Sequence, residues 1–202
     1  AGDRDITAAV YGQLAETGVF GLLIDDADGG AGAGAVEMVV AMEQIGRHGL
    51  PGPMAESVAA VPVLLRDAGL TDRLGSVAAG RISTLATPPL HPRAADTDLA
   101  ADIYLLDGGV LSTASAVAVE ATVDPTRIVS PVDPVTALAH GIDPRAVIDI
   151  AALATAAQLL GLGRQMLAIA SDYAQARKQF GRAIGSFQAV KHHLADVAVG
   201  LE

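Results

Sequence analysis

Apolar residues recur with a helical period through the first third of the chain. ITAAVYGQLAETGV, residues 6–19, predicts a helix stopped by Gly18. FGLLIDDADGGAGAG then carries an apolar run into a Gly/Asp-rich loop. In AVEMVVAMEQIGRHG, Met38, Ala41, Met42 and Ile45 fall on one helical face. The chain breaks at Pro51 and Pro53 and resumes as helix to about Gly69. Residues 1–80 therefore read as a helical layer.

The period changes over residues 81–140. Prolines in ISTLATPPLHPRAAD exclude helix. DIYLLDGGVLSTASAVAVEATV reads as strands, with a hairpin turn at Asp107-Gly108-Gly109 and alternation at Val117, Val119, Ala121 and Val123. Asp143 and Pro144 then open a long helix, as N-cap and first helical residue, running to about Lys178. Leu153, Ala157, Leu160, Leu167 and Ala174 form its expected bundle seam. Gly181 and Gly185 flank a turn, and Ser186 is placed to cap the next helix. The fold class is α+β, mainly α: a helical domain over 1–80, a short β domain over 81–140 and an incomplete helical bundle over 141–202.

Composition narrows the classes. The chain of 202 residues is 51% hydrophobic and 18% charged, which excludes a disordered chain. No uninterrupted apolar run has the length of a membrane span, and AGDRDITAAVYGQ lacks the apolar stretch of a signal peptide. Without cysteine there is no disulfide, thiol nucleophile or Cys-ligated metal, which fits a cytoplasmic protein. A formal net charge of −10 argues against nucleic acid as a partner. The chain starts at Ala1 and ends at Gly200-Leu201-Glu202 inside an expected helix, so a fragment is expected.

Three features are candidates for chemistry. GGAGAG, residues 29–34, has the wrong spacing for a dinucleotide fingerprint and follows Asp25, Asp26 and Asp28, which repel phosphate; it reads as a structural loop. His192 and His193 point about 100° apart on a helix, so no metal site is expected there. No G-x-S-x-G marks a serine hydrolase.

The third feature is Tyr173–Asp196, YAQARKQFGRAIGSFQAVKHHLAD. Between positions 164 and 191 lie Arg164, Arg177, Lys178, Arg182 and Lys191 against one anion, Asp172. Arginine forks bind phosphate, a helix start offers free N–H groups, and Phe180, Phe187 and Gln188 suit a flat ring with hydrogen-bonding edges. Together they suit an anionic ligand carrying an aromatic ring. A solvated cationic turn with both Phe in the core is the alternative.

RKQFGRAIGSFQAVKHHLAD resembles the R-x-x-F-G-x-x-I-x-x-F-Q-x-x-x-x-x-L-A-D signature of the acyl-CoA dehydrogenase family. LAETGVFGLLIDDADGGAGAGAVEMVVAMEQIGRHGLPGP is similar to that family's L-x-x-x-G-x-x-G-x-x-x-P-x-x-x-G-G-x-G run, and VDPTRIV to its segment returning from the β domain. The resemblance covers nearly the whole chain and is weakest over 82–122. It implies an FAD site shared between subunits. Arg177 would reach the pyrophosphate, with Gln179, Phe180, Ile184, Phe187 and Gln188 lining that end of the cofactor. It implies an acyl-CoA substrate oxidised to the 2,3-enoyl-CoA, and an electron-transfer flavoprotein as electron acceptor.

The sequence also departs from the family. The flavin-contacting strand motifs are not recognisable over 82–122. The usual catalytic Glu would lie beyond residue 202. Where some members carry the base, this chain has Ala151, and Ala152 stands where an Arg is often found. No catalytic residue is assigned. The resemblance implies a degenerate subunit of a heteromeric enzyme, such as those acting on steroid side-chain CoA esters, in a heterotetramer with a homologous chain. A homotetrameric enzyme with its base further along, and a scaffold or acyl-CoA-binding protein without flavin, are the competing readings.

Overall fold

The computed structural model describes residues 4–202. The helical layer expected over 1–80 begins, among these, with α1 (Arg4–Glu16); residues 1–3 lie outside them. The chain leaves α1 through Gly18, whose φ of 79° is a left-handed stop. Phe20 then stacks on Tyr11 with ring centroids 5.5 Å apart. The glycine loop is structural: Gly30 N–H donates to Asp25 O and Gly32 N–H to Ile24 O, and any side chain at Gly30 would collide with Ile24.

Helix α2 (Ala35–Arg47) buries Met38, Met42 and Ile45, as its spacing predicts. Its start is fixed by Glu37, whose carboxylate accepts the Gly34 N–H at 2.9 Å. A π-helical turn (Glu56–Ala60) leads into α3 (Val61–Asp67). The Val61 N–H reaches back five residues to Glu56 O. Pro62, which has no N–H and whose ring crowds the carbonyl four residues earlier, explains the widening. Leu64 and Leu65 are fully buried, each stabilising by roughly 2 kcal/mol. Helix α4 (Leu74–Ala78) closes the layer.

The sheet comprises β1 (Ser83–Ala86), β2 (Arg93–Ala95), β3 (Asp102–Asp107), β4 (Val110–Ala116), β5 (Glu120–Ala121) and β6 (Ile128–His140), ordered β1-β3-β4-β6-β2, with β5 also pairing β6. Only the β1–β3 pair is parallel. The hairpin expected at Asp107 forms, with Gly108 and Gly109 both at positive φ. The alternating valines form no long strand: β4 stops at Ala116, and Val117, Val119 and Val123 are exposed. Val117 N–H reaches Pro131 O, but Pro131 has no N–H to return, so the ladder ends.

Two buried polar links hold the sheet in place. Ser57 Oγ donates to Ser83 O at 2.8 Å and accepts from Ser83 N–H at 3.0 Å, joining the π turn to β1. Asp96, fully buried, accepts from the Ile128 N–H and pairs with Arg127 at 2.6 Å, pinning the VDPTRIV segment.

Helix α5 (Arg145–Ala176) has 32 residues, a length of roughly 48 Å. The expected cap is corrected by one residue: the helix begins at Arg145 with Pro144 at the cap position, and Asp143, one residue before it, accepts the Arg145 N–H at 3.0 Å. The leucine seam is corrected. The buried positions are Val147, Ala154, Ala157, Gly161 and Ala174, while Leu153 is 42% exposed and Leu160 and Leu167 are half-buried. The cause is close approach to α2. Any side chain at Gly161 would strike Glu43 O, and any at Gly46 would strike Gln158 O. At that separation only Ala and Gly fit, and the leucines turn to the flanks. By length and composition only, α5 is also apolar enough to cross a membrane. Helix α6 (Gln188–Gly200) completes the described chain.

Candidate functional site

Helix α5 ends where Arg177 turns to extended backbone, φ −71° and ψ 124°. The chain then makes a hairpin from β7 (Lys178–Gln179) and β8 (Arg182–Ala183), turned by Phe180 and Gly181 at φ 51° and 78°. Ile184 N–H closes it onto Arg177 O at 2.8 Å. A left-handed Phe costs about 1–2 kcal/mol, so the turn holds this ring in a strained place.

That ring does not enter the core. Phe180 is 91% exposed and meets Phe187 edge to face, centroids 6.1 Å apart. The Arg182 guanidinium lies over the Phe187 ring, 4.2 Å from its centroid. Arg177, Lys178, Gln179 and Gln188 are exposed, and Ile184 and Phe187 half-buried. Gln188 Nε2 lies 3.4 Å from His192 Nε2. Among the described residues no carboxylate pairs with Arg177, Lys178, Arg182 or Lys191.

Ser186 does not cap α6. Its hydroxyl donates to Ala183 O at 2.7 Å, and the cap position is Phe187, which has no side-chain cap bond. The first N–H groups of α6 therefore remain open beside the cations, an anion-binding arrangement. Arg164 leaves the cluster: it pairs with Glu43 and donates to Leu201 O, tying α5 to α2 and to the end of α6. His192 and His193 are exposed, and no metal cluster exists among the described residues.

A second feature lies along the N-terminal half of α5. A cavity of about 500 Å³ opens between the π turn, β1 and β2, and α5. Ala151 and Ala152 both line it, so the two positions lacking a base and an Arg face open space. Glu56, His91 and Arg93 are its ionisable residues. The Glu56 carboxyl is held above the usual carboxylate range by burial; its own backbone N–H and the Arg127 charge oppose the shift. Sequence reading passed over Glu56. Its signal was the one charged residue between positions 54 and 65, after Pro53.

Two family descriptions match the chain: acyl-CoA dehydrogenase, N-terminal domain, over 2–69, and acyl-CoA dehydrogenase, C-terminal domain, over 145–202. The chain belongs to the acyl-CoA dehydrogenase family. The sheet lies between the two matched stretches. Acyl-CoA dehydrogenase IpdE2 of Mycolicibacterium smegmatis is 34% identical over 188 residues, covering 91% of this chain and 59% of that protein. IpdE2 of Mycobacterium tuberculosis is 31% identical over 205 residues, covering 98% and 63%. The chain thus spans about three-fifths of these relatives' length. The solved Tcur3481-Tcur3483 steroid ACAD G363A variant shares the fold, with a TM-score of 0.76 at 24% identity, covering 96% of this chain and 64% of that one.

A solved FAD complex of PigA shares the fold, with a TM-score of 0.73 at 17% identity, covering 96% of this chain and 67% of that one. The residues at the α5–α6 turn fit such a group: cations with no carboxylate partner among the described residues and open helix N–H groups suit a pyrophosphate, and the crossed Phe rings offer a flat apolar edge.

Proposed function

We propose that this chain is the degenerate subunit of a heteromeric, flavin-dependent acyl-CoA dehydrogenase. It completes the FAD site of a homologous chain and does not supply the base. The observation that carries this reading is a contrast within α5. Its C-terminal end presents Arg177 and the other turn cations with no carboxylate partner among the described residues, while its N-terminal part presents Ala151 and Ala152 to a cavity.

In this reading Arg177 would hold the cofactor pyrophosphate, together with the α6 N–H groups. Phe180 and Phe187 exclude water from a ring, and Gln179, Ile184 and Gln188 line the same end. FAD, when bound there, would supply hydride acceptance, with an electron-transfer flavoprotein as the electron acceptor. The partner chain provides the carboxylate that removes the α-proton of an acyl-CoA thioester, since alanine has no proton acceptor. Similarity to the IpdE2 proteins, and a fold shared with a steroid ACAD and with the ChsE4-ChsE5 complex, support a heteromer acting on a steroid-derived acyl group.

The test is Arg177→Ala in the complex co-purified with its partner chain. The flavin band near about 450 nm should fall at least about fivefold per protein, since a buried charge-assisted pair contributes roughly 1.5–3 kcal/mol. Unchanged flavin content would overturn the assignment.

A further inference from the structure

We infer that Glu56 is a specificity residue of this chain's own cavity. Its carboxyl holds the oxygen of a compact, ring-bearing apolar ligand. The inference concerns the acyl-type ligand class of the reading above and rests on it.

The geometry separates Glu56 from the structural polar groups. Ser57, its neighbour, is locked to Ser83 in both directions, and Asp96 is locked to Arg127 and the Ile128 N–H. Among the described residues no other side chain hydrogen-bonds or ion-pairs with the Glu56 carboxyl. It stands instead at the first position of the π turn, in the wall of the cavity. Single π turns recur at functional sites because they redirect a side chain out of helical register.

The rest of the wall defines the occupant. Ala55, Ala60, Ala95, Ala151, Ala152 and Ala156 keep it wide, and Val147 and Leu159 keep it apolar. Short side chains leave about 500 Å³, more than an extended acyl chain alone needs and enough for fused rings. A carboxyl in such a wall is costly unless a ligand meets it. In its protonated form, which burial favours, it donates to a ketone oxygen. Arg93 is already paired with Glu120, so it does not compete for that oxygen.

The probes are decalone, the hydrocarbon decalin and decahydronaphthol, titrated calorimetrically into the full chain. Wild type should prefer decalone to decalin. Glu56→Leu should weaken decalone about tenfold, the scale of one buried hydrogen bond, and leave decalin within about threefold. Glu56→Gln keeps a donor and should keep the preference.

A pH series adds a signature that packing alone would not give. The groups facing Glu56 are Tyr11 from α1, Asp96 and Arg127 from the sheet side, and His91 and Arg93 across the cavity. As pH rises and the carboxyl ionises, its donor is lost and decalone affinity should fall. Decahydronaphthol, which donates to a carboxylate, should hold. A pH dependence from any other group would persist in Glu56→Gln, whereas the Glu56 effect would vanish there. Equal decalone affinity in wild type and Glu56→Leu would overturn the inference, as would no probe binding by a wild-type chain that unfolds cooperatively. Neither result touches the flavin assignment, because these titrations need no flavin.

Discussion

At the residue scale, the two features that matter are both locally unfavourable. Phe180 holds a left-handed backbone and exposes its ring, and Glu56 holds a carboxyl against an apolar wall. Neither is explained by folding, and backbone strain or a carboxyl raised by burial in a cavity wall marks a group kept for a ligand. For Glu56 the cost has a testable sign. Its folded-state pKa lies above the ordinary value of 4.5, so the folded chain binds the extra proton and the unfolded chain does not. Stability from this group is therefore full below about 4.5 and is lost as pH rises through the raised value. Glu56→Gln, which removes the ionisation, should raise the thermal midpoint at pH 8 and bring little change at pH 4.5. A constant difference between variant and wild type across that range would contradict the assignment of burial as the cause.

At the element scale, α2 and α5 set the architecture by their closeness. Gly46 and Gly161 face opposite backbones, so each admits no side chain. Gly161→Ala should cost about 2–3 kcal/mol through overpacking, read as a lower urea midpoint with unchanged slope. Gly200→Ala, where the added methyl meets open space, should cost nothing measurable. The crossing also shows which elements were legible. The stop at Gly18 and the Gly108-Gly109 hairpin could be read directly, and the start of α5 to within one residue, because each depends on the conformational range or reach of a residue and its immediate neighbours. The leucine seam could not, because helical periodicity names faces without saying how near a neighbour will come. Val117–Val123 had the alternation of a strand but lacked an opposite N–H, which only the pairing with Pro131 reveals. Ser186 had the right chemistry for a cap and spent it on Ala183.

At the scale of the whole molecule, the chain is acidic overall and locally cationic at one turn, and that turn is open to solvent. A cofactor site built from one exposed hairpin and a helix start offers contacts on one side only. If the remainder of the site belongs to another chain, the protein purified alone should be colourless, and the same protein co-purified with its partner should carry flavin. Flavin in the lone chain would favour a homomeric enzyme; its absence from both would leave a scaffold. Ala151 and Ala152 belong to this scale too. Their spacing from Arg177 is a property of the chain, but that both border one cavity with Glu56 is a property of the fold.

By itself the sequence determined the helix–strand–helix order, the family signature and the residues of the α5–α6 turn. All of these are local in the chain: periodicity, turn chemistry and a contiguous motif. Tertiary structure alone decided that Phe180 faces outward, that Arg164 is a tie between helices, that Ala and Gly rather than Leu form the α5 contact, and that Glu56 opens into a cavity. Each of those depends on what a distant segment places opposite the residue, and composition and spacing carry no record of that distance.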